Sequence, residues 1–174
     1  MKSRRDQGFT LIELLIVVAI ISIIAAIAVP GLLRTRMTAN EASAILSMKN
    51  VTQAQIGYTA ACGNGGYAST FLMLGTPLPG QTEAFIGPDL GLSATPQKAG
   101  YNFALGPGAA PAGPNDCQGR PTNSGYYATA TPVNPGTTGG RAFATNAGGT
   151  IWQNQGPTPP TEPFTPSATV STIQ

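Results

Sequence analysis

Glu13 is the side chain whose position points most directly to chemistry. It is the one acidic residue in a nearly unbroken apolar run from residue 9 to residue 29. An unpaired charge in hydrocarbon costs on the order of 2.5–3.5 kcal/mol, so a chain that keeps a carboxylate there is expected to supply a partner of opposite charge. The alternative is that the Glu13 side chain reaches toward nearby lipid headgroups. The predicted chemistry is therefore charge pairing in an apolar environment.

The apolar run that carries Glu13 is long enough to cross a membrane. Residues 9–29 would form a helix of about 31 Å at about 1.5 Å per residue, against a bilayer core of about 30 Å. Only Thr10, Glu13 and Ser22 interrupt its Leu, Ile, Val and Ala residues. Pro30 and Gly31 follow directly and predict a helix break at the end of the span.

A cleaved secretory signal is the alternative interpretation of the same run. Ala26-Ile27-Ala28 has the small-x-small pattern of a cleavage site, and cleavage there would release a secreted binding protein that begins at Val29. The run is longer than the usual 7–15 apolar residues of such a signal. It also contains Glu13, and a helical pattern continues beyond Pro30. These three features favour a retained helix.

The residue types in the sequence argue against an enzyme. Histidine is absent, which excludes Ser-His-Asp and Cys-His catalysis and zinc sites that contain histidine. The sequence has no Gly-x-Ser-x-Gly motif and no phosphate-binding loop. Asp89 and Asp116 stand apart from other acidic residues, so no calcium cluster is predicted. We therefore predict no catalytic residue, no cofactor and no metal site.

The composition favours a turn-rich structural protein. Charged residues make up 9 % of the chain, against about 25 % in a typical soluble domain. Glycine and proline contribute 22 and 16 of its 174 residues. With nine basic and seven acidic side chains the sequence does not predict a nucleic-acid-binding surface. Few charges also suit a subunit that packs among copies of itself, because each buried unpaired charge would oppose assembly.

The segment 30–60 is predicted to continue as an amphipathic helix. At 100° per residue a buried stripe falls on one side, and it consists of Met37, Ala44, Met48, Val51, Ala54 and Tyr58. Gly57 weakens the end of this helix, and the glycine-rich stretch 62–66 ends it. This half of the helix is expected to pack against a head domain.

A loop-rich head is predicted over residues 61–152. It would contain a short helix at 71–74 and strands at 83–86 and 101–105. Segments 126–131, 141–145 and 150–152 predict an antiparallel meander that buries Phe143, Trp152 and one of Tyr126 and Tyr127. Residues 153–174 are rich in proline and threonine and are predicted to form a tail that passes from order to disorder.

Cys62 and Cys117 are the two cysteines of the sequence. An even count outside the cytoplasm predicts one disulfide. It would close a loop of about 55 residues, which the chain-entropy model makes worth about 4 kcal/mol. Two free buried thiols are the alternative.

The N-terminal residues carry a family resemblance. Gly8-Phe9-Thr10-Leu11-Ile12-Glu13 resembles the N-terminal motif of type IV pilins and of the pseudopilins of type II secretion. The match is strongest over residues 4–33 and extends more weakly to about residue 60, where Asn40-Glu41-Ala42-Ser43-Ala44 resembles the next helical segment of some pilins. The resemblance implies a leader, residues 1–8, that a prepilin peptidase removes between Gly8 and Phe9 before Phe9 is N-methylated. Removal leaves six basic and six acidic side chains, so the mature chain would be formally neutral.

The resemblance also implies a fold, a location and a function. The fold would be α+β and pilin-like, with a long helical spine packed against a small antiparallel sheet. The precursor would span the inner membrane once with its N-terminus in the cytoplasm, and the pilus assembly machinery would polymerise it into an extracellular homopolymer. In that family the glutamate at the position of Glu13 attracts the N-terminal amine, here that of Phe9, of a neighbouring subunit. The implied function is a pilus subunit, with a type II secretion pseudopilin as the alternative. Adhesion, motility, DNA uptake and electron transfer all stay open as roles of the filament.

Overall fold

The computed structural model describes residues 9–173, so the predicted leader with Gly8 lies outside the described residues. The chain divides into two compact units, one up to Arg36 and one from Met37 onward. In the described residues the helices are α1 (Leu11–Ala61), α2 (Phe71–Leu74) and α3 (Pro88–Gly91). The strands are β1 (Gln97–Lys98), β2 (Tyr101–Gly106), β3 (Ala112–Asn115), β4 (Pro121–Asn123), β5 (Tyr127–Pro132), β6 (Ala142–Asn146), β7 (Ile151–Asn154) and β8 (Val170–Thr172). This is the α+β, pilin-like combination of a long helix and an antiparallel sheet that the sequence predicts.

Helix α1 continues through Pro30, so the prediction of a helix break at Pro30 and Gly31 is wrong. An interior proline removes one backbone hydrogen bond and costs roughly 3 kcal/mol, but it does not end a helix that favourable residues support on both sides. Leu, Ile and Ala flank it here. The Thr35 hydroxyl donates a hydrogen bond of 3.0 Å to the Gly31 carbonyl within the same turn.

The second half of α1 buries the predicted stripe. Ala44, Met48, Val51, Ala54 and Tyr58 are all buried, and Met37 is half-buried. The buried surface is wider than the stripe and includes polar residues such as Gln55. The Gln55 amide donates to the Ala68 carbonyl at 2.8 Å and accepts from the Ala68 amide at 2.9 Å. This exchange satisfies a polar side chain that would otherwise be costly to bury.

The main sheet has the antiparallel order β1-β2-β5-β6-β7-β8. It confirms the predicted meander, which corresponds to β5, β6 and β7, and the predicted strand at 101–105, which corresponds to β2. The predicted strand at 83–86 is wrong. The amides of Phe85 and Ile86 donate to the Leu74 carbonyl at 3.0 and 3.3 Å, so this segment docks on the end of α2 instead of pairing with a strand.

One face of the sheet joins α1 in a single core. Phe103, Ala130 and Phe143 lie opposite one another across β2, β5 and β6, and all are buried. Ile151 belongs to the same core. Because side chains alternate along a strand, burying Ile151 places Trp152 on the opposite face. The prediction that Trp152 lies in the helix-facing core is therefore wrong.

The C-terminal segment covers the other face of the sheet. Phe164 stacks on Trp152 with ring centroids 5.5 Å apart and lies 6.1 Å from Tyr127. Strand β8 pairs with β7, and the Ile173 amide donates to the Ile151 carbonyl at 2.9 Å. The prediction that the tail from residue 153 onward passes from order to disorder is wrong for residues 153–173, because aromatic packing and strand pairing compensate for their weak apolar content.

Candidate assembly site

The first unit of the structure presents apolar side chains on all sides. Its large apolar residues range in exposure from 46 % at Leu33 to 86 % at Phe9. Glu13 is the only charged residue from position 9 to position 33. One helix in the described chain is long and apolar enough to cross a membrane, with a mean hydropathy of 3.0 in its most apolar window and no burial there. A helix that is apolar all round requires lipid or other helices around it.

Glu13 is held by the first turn of its own helix. Its Oε2 atom accepts hydrogen bonds from the Thr10 amide at 2.9 Å and from the Thr10 hydroxyl at 2.6 Å. The Glu13 amide in turn donates to the Thr10 hydroxyl at 3.3 Å. This reciprocal arrangement is a capping box, in which a threonine and a glutamate three residues later satisfy free amides at a helix start. The spacing Thr10-x-x-Glu13 was the sequence signal that could have predicted it.

The cap leaves part of the carboxylate available. The bonds from Thr10 all reach Oε2, and among residues 9–173 no hydrogen bond reaches Oε1. A carboxylate offers about four acceptor sites, so Oε1 can accept a donor from another molecule without breaking the cap. Phe9 lies one residue before the cap and is exposed. The structure thus places Phe9 and Glu13 at the same end of α1.

Glu41 and Arg141 form a second charged group, in the unit that begins at Met37. Arg141 Nη2 and Nε donate to Glu41 Oε2 at 2.7 and 2.9 Å, and the Gly140 and Arg141 amides donate to Oε1 at 2.9 and 3.2 Å. Burial raises the pKa of Glu41, but these hydrogen bonds outweigh it and the net pKa lies below the ordinary value. Glu41 is buried although the predicted stripe of α1 does not include it. Its spacing of three and seven residues from Ala44 and Met48 was the missed signal.

Asp116 organises the loop that follows β3. The Tyr58 hydroxyl and Arg120 Nε each donate to Asp116 Oδ2 at 2.7 Å, while the Gln118 and Arg120 amides donate to Oδ1 at 2.8 and 2.7 Å. Burial raises the pKa of Asp116, but the hydrogen bonds from Tyr58 and Arg120 outweigh it and lower the pKa to about 2. Burial and the neighbouring Asp116 raise the pKa of Tyr58.

A disulfide joins Cys62 and Cys117, as the sequence predicts. Their Cα atoms are 4.8 Å apart, and the Cys117 amide donates to the Cys62 carbonyl at 2.7 Å. Cys62 follows the last residue of α1, so the bond fastens this helix to the Asp116 loop. The isolated Asp89 pairs with Lys98 at 2.5 Å. Within the described residues no group of three or more potential metal ligands occurs.

Comparison with known proteins addresses the N-terminal segment. A family model described as the prokaryotic N-terminal methylation motif matches residues 3–29. The type IV wide pilus major component PilA4 of Thermus thermophilus is 60 % identical over 38 residues, which cover 22 % of this chain and 29 % of that protein. The type IV major pilin protein PilA of Myxococcus xanthus is 47 % identical over 51 residues, which cover 29 % of this chain and 23 % of that protein. These matches support the resemblance of the N-terminal segment to the type IV pilin and pseudopilin family.

The sequence similarity to each of these two pilins covers less than a third of this chain. The chain spans less than a third of the length of either of these relatives. No solved structure matched the chain. The evidence for a pilin-like architecture is therefore the long helix and the antiparallel sheet of this structure, and not a match to a solved structure.

Proposed function

We propose that this chain is the structural subunit of a type IV pilus. The observation that carries the proposal is the exposed first part of α1. Up to residue 33 it is apolar on all sides, and Glu13 near its start is its single charged residue. An apolar surface of this kind requires either a bilayer or the helices of other subunits. The pilin similarity of residues in the same segment supports a subunit that uses both in turn, the bilayer as precursor and the filament core after assembly.

Processing is the first step of the proposal. A prepilin peptidase cleaves between Gly8 and Phe9, and the new amine of Phe9 is methylated. The precursor spans the inner membrane through residues 9–29, with the leader in the cytoplasm. The segment 30–60 then carries the head, residues 61–152, and the pilus assembly machinery moves the subunit into the filament.

Pairing between subunits is the second step. The open Oε1 atom of Glu13 accepts the ammonium of Phe9 from a neighbouring subunit, while Oε2 stays in the cap with Thr10. Two opposite charges that are each costly in a low-dielectric core reduce that cost by pairing. A neighbour displaced by one helical turn leaves both charges unpaired, so the pairing also sets the axial register of the filament.

The test separates the charge of Glu13 from its capping role. Glu13→Gln keeps a side chain that can cap the helix but removes the charge, because glutamine also serves at this position of a capping box. Thr10→Val removes the capping hydroxyl and keeps the charge. We expect Glu13→Gln to insert and be processed normally but to lower the yield of sheared surface filaments at least about tenfold, the equivalent of about 1.4 kcal/mol. Thr10→Val should lower the yield less.

Two results would contradict the proposal at different points. Filaments of wild-type abundance from Glu13→Gln would exclude charge pairing but leave the pilus function intact. N-terminal sequencing that finds a start at Val29 would exclude the filament subunit altogether. Electron microscopy of sheared cell surfaces, with and without the gene, distinguishes long pili from a pseudopilus of type II secretion.

A further inference from the structure

Most charges of the described chain are satisfied within it. Residues 9–173 carry six acidic and six basic side chains, and ion pairs, hydrogen bonds or other electrostatic or ring contacts account for nine of them. Within those residues the side chains of Arg36, Lys49 and Glu83 have no such partner. In a chain with so few charges, an unpartnered one on the head domain is a distinctive feature.

Lys49 lies on an exposed strip of α1. The strip consists of Leu46, Lys49, Gln53 and Ile56, which follow one another at spacings of three and four residues and share one side of the helix. Leu46 is 60 % and Ile56 is 55 % exposed, although the opposite side of the same helix is buried in the core. We call this surface the helix strip. It places one cation between two large apolar side chains.

Glu83 lies at an apolar groove of the head. This head groove has a volume of about 400 Å³, and Gly75, Pro77, Glu83, Ile86, Pro88 and Leu92 are among its lining residues. Leu92 is 75 % exposed, and Glu83 is the one charged residue of the lining. The helix strip and the head groove are thus both largely apolar, and the single charge of the groove is opposite to that of the strip.

We propose that the helix strip of one subunit docks into the head groove of a second copy of this chain, with Lys49 paired to Glu83 of that copy. The inference rests on the proposed filament function. Its occupant is a second copy because both complementary surfaces occur on every subunit. The helix strip and the head groove adjoin, because Gln53 lines a pocket with Ile86 and Gly87, but they consist of different residues. A contact between one strip and one groove is therefore heterologous, and repeated heterologous contacts that do not close generate an open helical filament.

Carbodiimide treatment of isolated wild-type filaments tests the pairing directly, because this reagent joins an amine and a carboxylate that are already in contact. We expect subunit ladders on a denaturing gel and a Lys49–Glu83 link by mass spectrometry. The Asp89–Lys98 pair, which is 2.5 Å apart within one chain, is the internal control and should link without producing a ladder. Filaments that give the control link but no Lys49–Glu83 link between subunits would overturn the inference and leave the filament function standing. Absence of any filament would overturn both.

Charge exchange provides a second test. Lys49→Glu and Glu83→Lys should each lower the filament yield about tenfold, because like charges then face each other across the contact. The double variant K49E/E83K should restore the yield to within about twofold of wild type. The matched control R36E/E83K uses the other unpartnered cation and should restore nothing. Restoration by the control, or failure of K49E/E83K to recover, would refute the pairing.

Discussion

The guanidinium of Arg141 and the carboxylate of Glu41 meet at 2.7 Å although 100 residues separate them in the chain. Glu41 is 8 % exposed, and its two oxygens accept four hydrogen bonds from Gly140 and Arg141. The pair joins α1 to the start of β6. Arg141 also donates to Gln153 at 2.7 Å, so the contact extends to β7.

Glu41→Gln should destabilise the folded protein. It would leave the Arg141 guanidinium partly buried without its counterion, and breaking a buried pair costs about 3–5 kcal/mol. Because the Arg141 side chain is 33 % exposed, we expect a smaller loss of about 2 kcal/mol. Denaturant unfolding of the protein in detergent micelles measures it. The control is Asp89→Asn, which breaks the more exposed pair with Lys98 and should cost under about 1 kcal/mol. Equal losses for the two variants would contradict the role of the Glu41 pair.

Acid should destabilise the head through Asp116. Its pKa is about 2 in the folded protein, against about 3.9 in the unfolded chain. The stabilisation is therefore fully present above about pH 4 and is lost as the pH falls toward 2, with a total of about 2 kcal/mol. The lowered pKa of Glu41 acts in the same direction.

The variant Asp116→Asn tests this dependence. It should be less stable at pH 7 and should lose less stability than wild type between pH 4 and pH 2. Unfolding free energies measured across that range check both effects. A wild-type protein whose stability does not change over this interval would exclude the predicted contribution of Asp116.

Removal of the Cys62–Cys117 bond should lower the free energy of unfolding by about 4 kcal/mol, because the unfolded chain regains the freedom of a closed 55-residue loop. The double variant C62S/C117S and the reduced wild type should agree in stability. Mass measurement after alkylation under non-reducing conditions should find no free thiol in the mature protein. Two alkylated cysteines would show that the bridge does not form in the cell.

Phe164→Ala should expose the outer face of the sheet. Trp152 is the only tryptophan of the chain, so its fluorescence reports on this site without further labelling. Loss of the stacked ring 5.5 Å away should shift the emission to longer wavelength and lower the stability by about 2 kcal/mol. Leu92→Ala, which truncates a 75 % exposed side chain, is the control and should change neither quantity. An unchanged Trp152 emission in Phe164→Ala would mean that the C-terminal segment does not cover this face.

The sequence predicts elements whose signal is local and periodic. The buried stripe of α1 and strands β2, β5, β6 and β7 could be predicted because apolar spacing reveals them. The predicted helix break at Pro30 does not occur, because the free-energy cost of one lost hydrogen bond is small compared with the stabilisation of the whole helix. The sequence does not reveal which face of β7 is buried, because a shift of one residue along a strand exchanges its two faces. In the structure Ile151 faces the core and Trp152 the opposite side. The C-terminal segment was missed because Phe164 is its only aromatic residue and acts through contacts with distant strands.

The residues of the candidate site also fall into those that local sequence patterns reveal and those that depend on contacts between distant parts of the chain. Phe9, Glu13 and the two cysteines could be predicted from motif and count. The cap between Thr10 and Glu13 was local and could also have been found. The contacts of Glu41 with Arg141 and of Asp116 with Tyr58 could not, because they join residues 100 and 58 positions apart and no single-sequence pattern records such a contact.

The packed half of α1 is fastened near both of its ends, by Glu41 to Arg141 and by Cys62, directly after the helix, to Cys117. The two attachments lie about 30 Å apart along the helix axis. Tension applied along this half of α1 would therefore act on the head in shear. The helix cannot slide past the rest of the head unless the salt bridge and the disulfide both break. A force that pulls on the helix would therefore displace the head together with it.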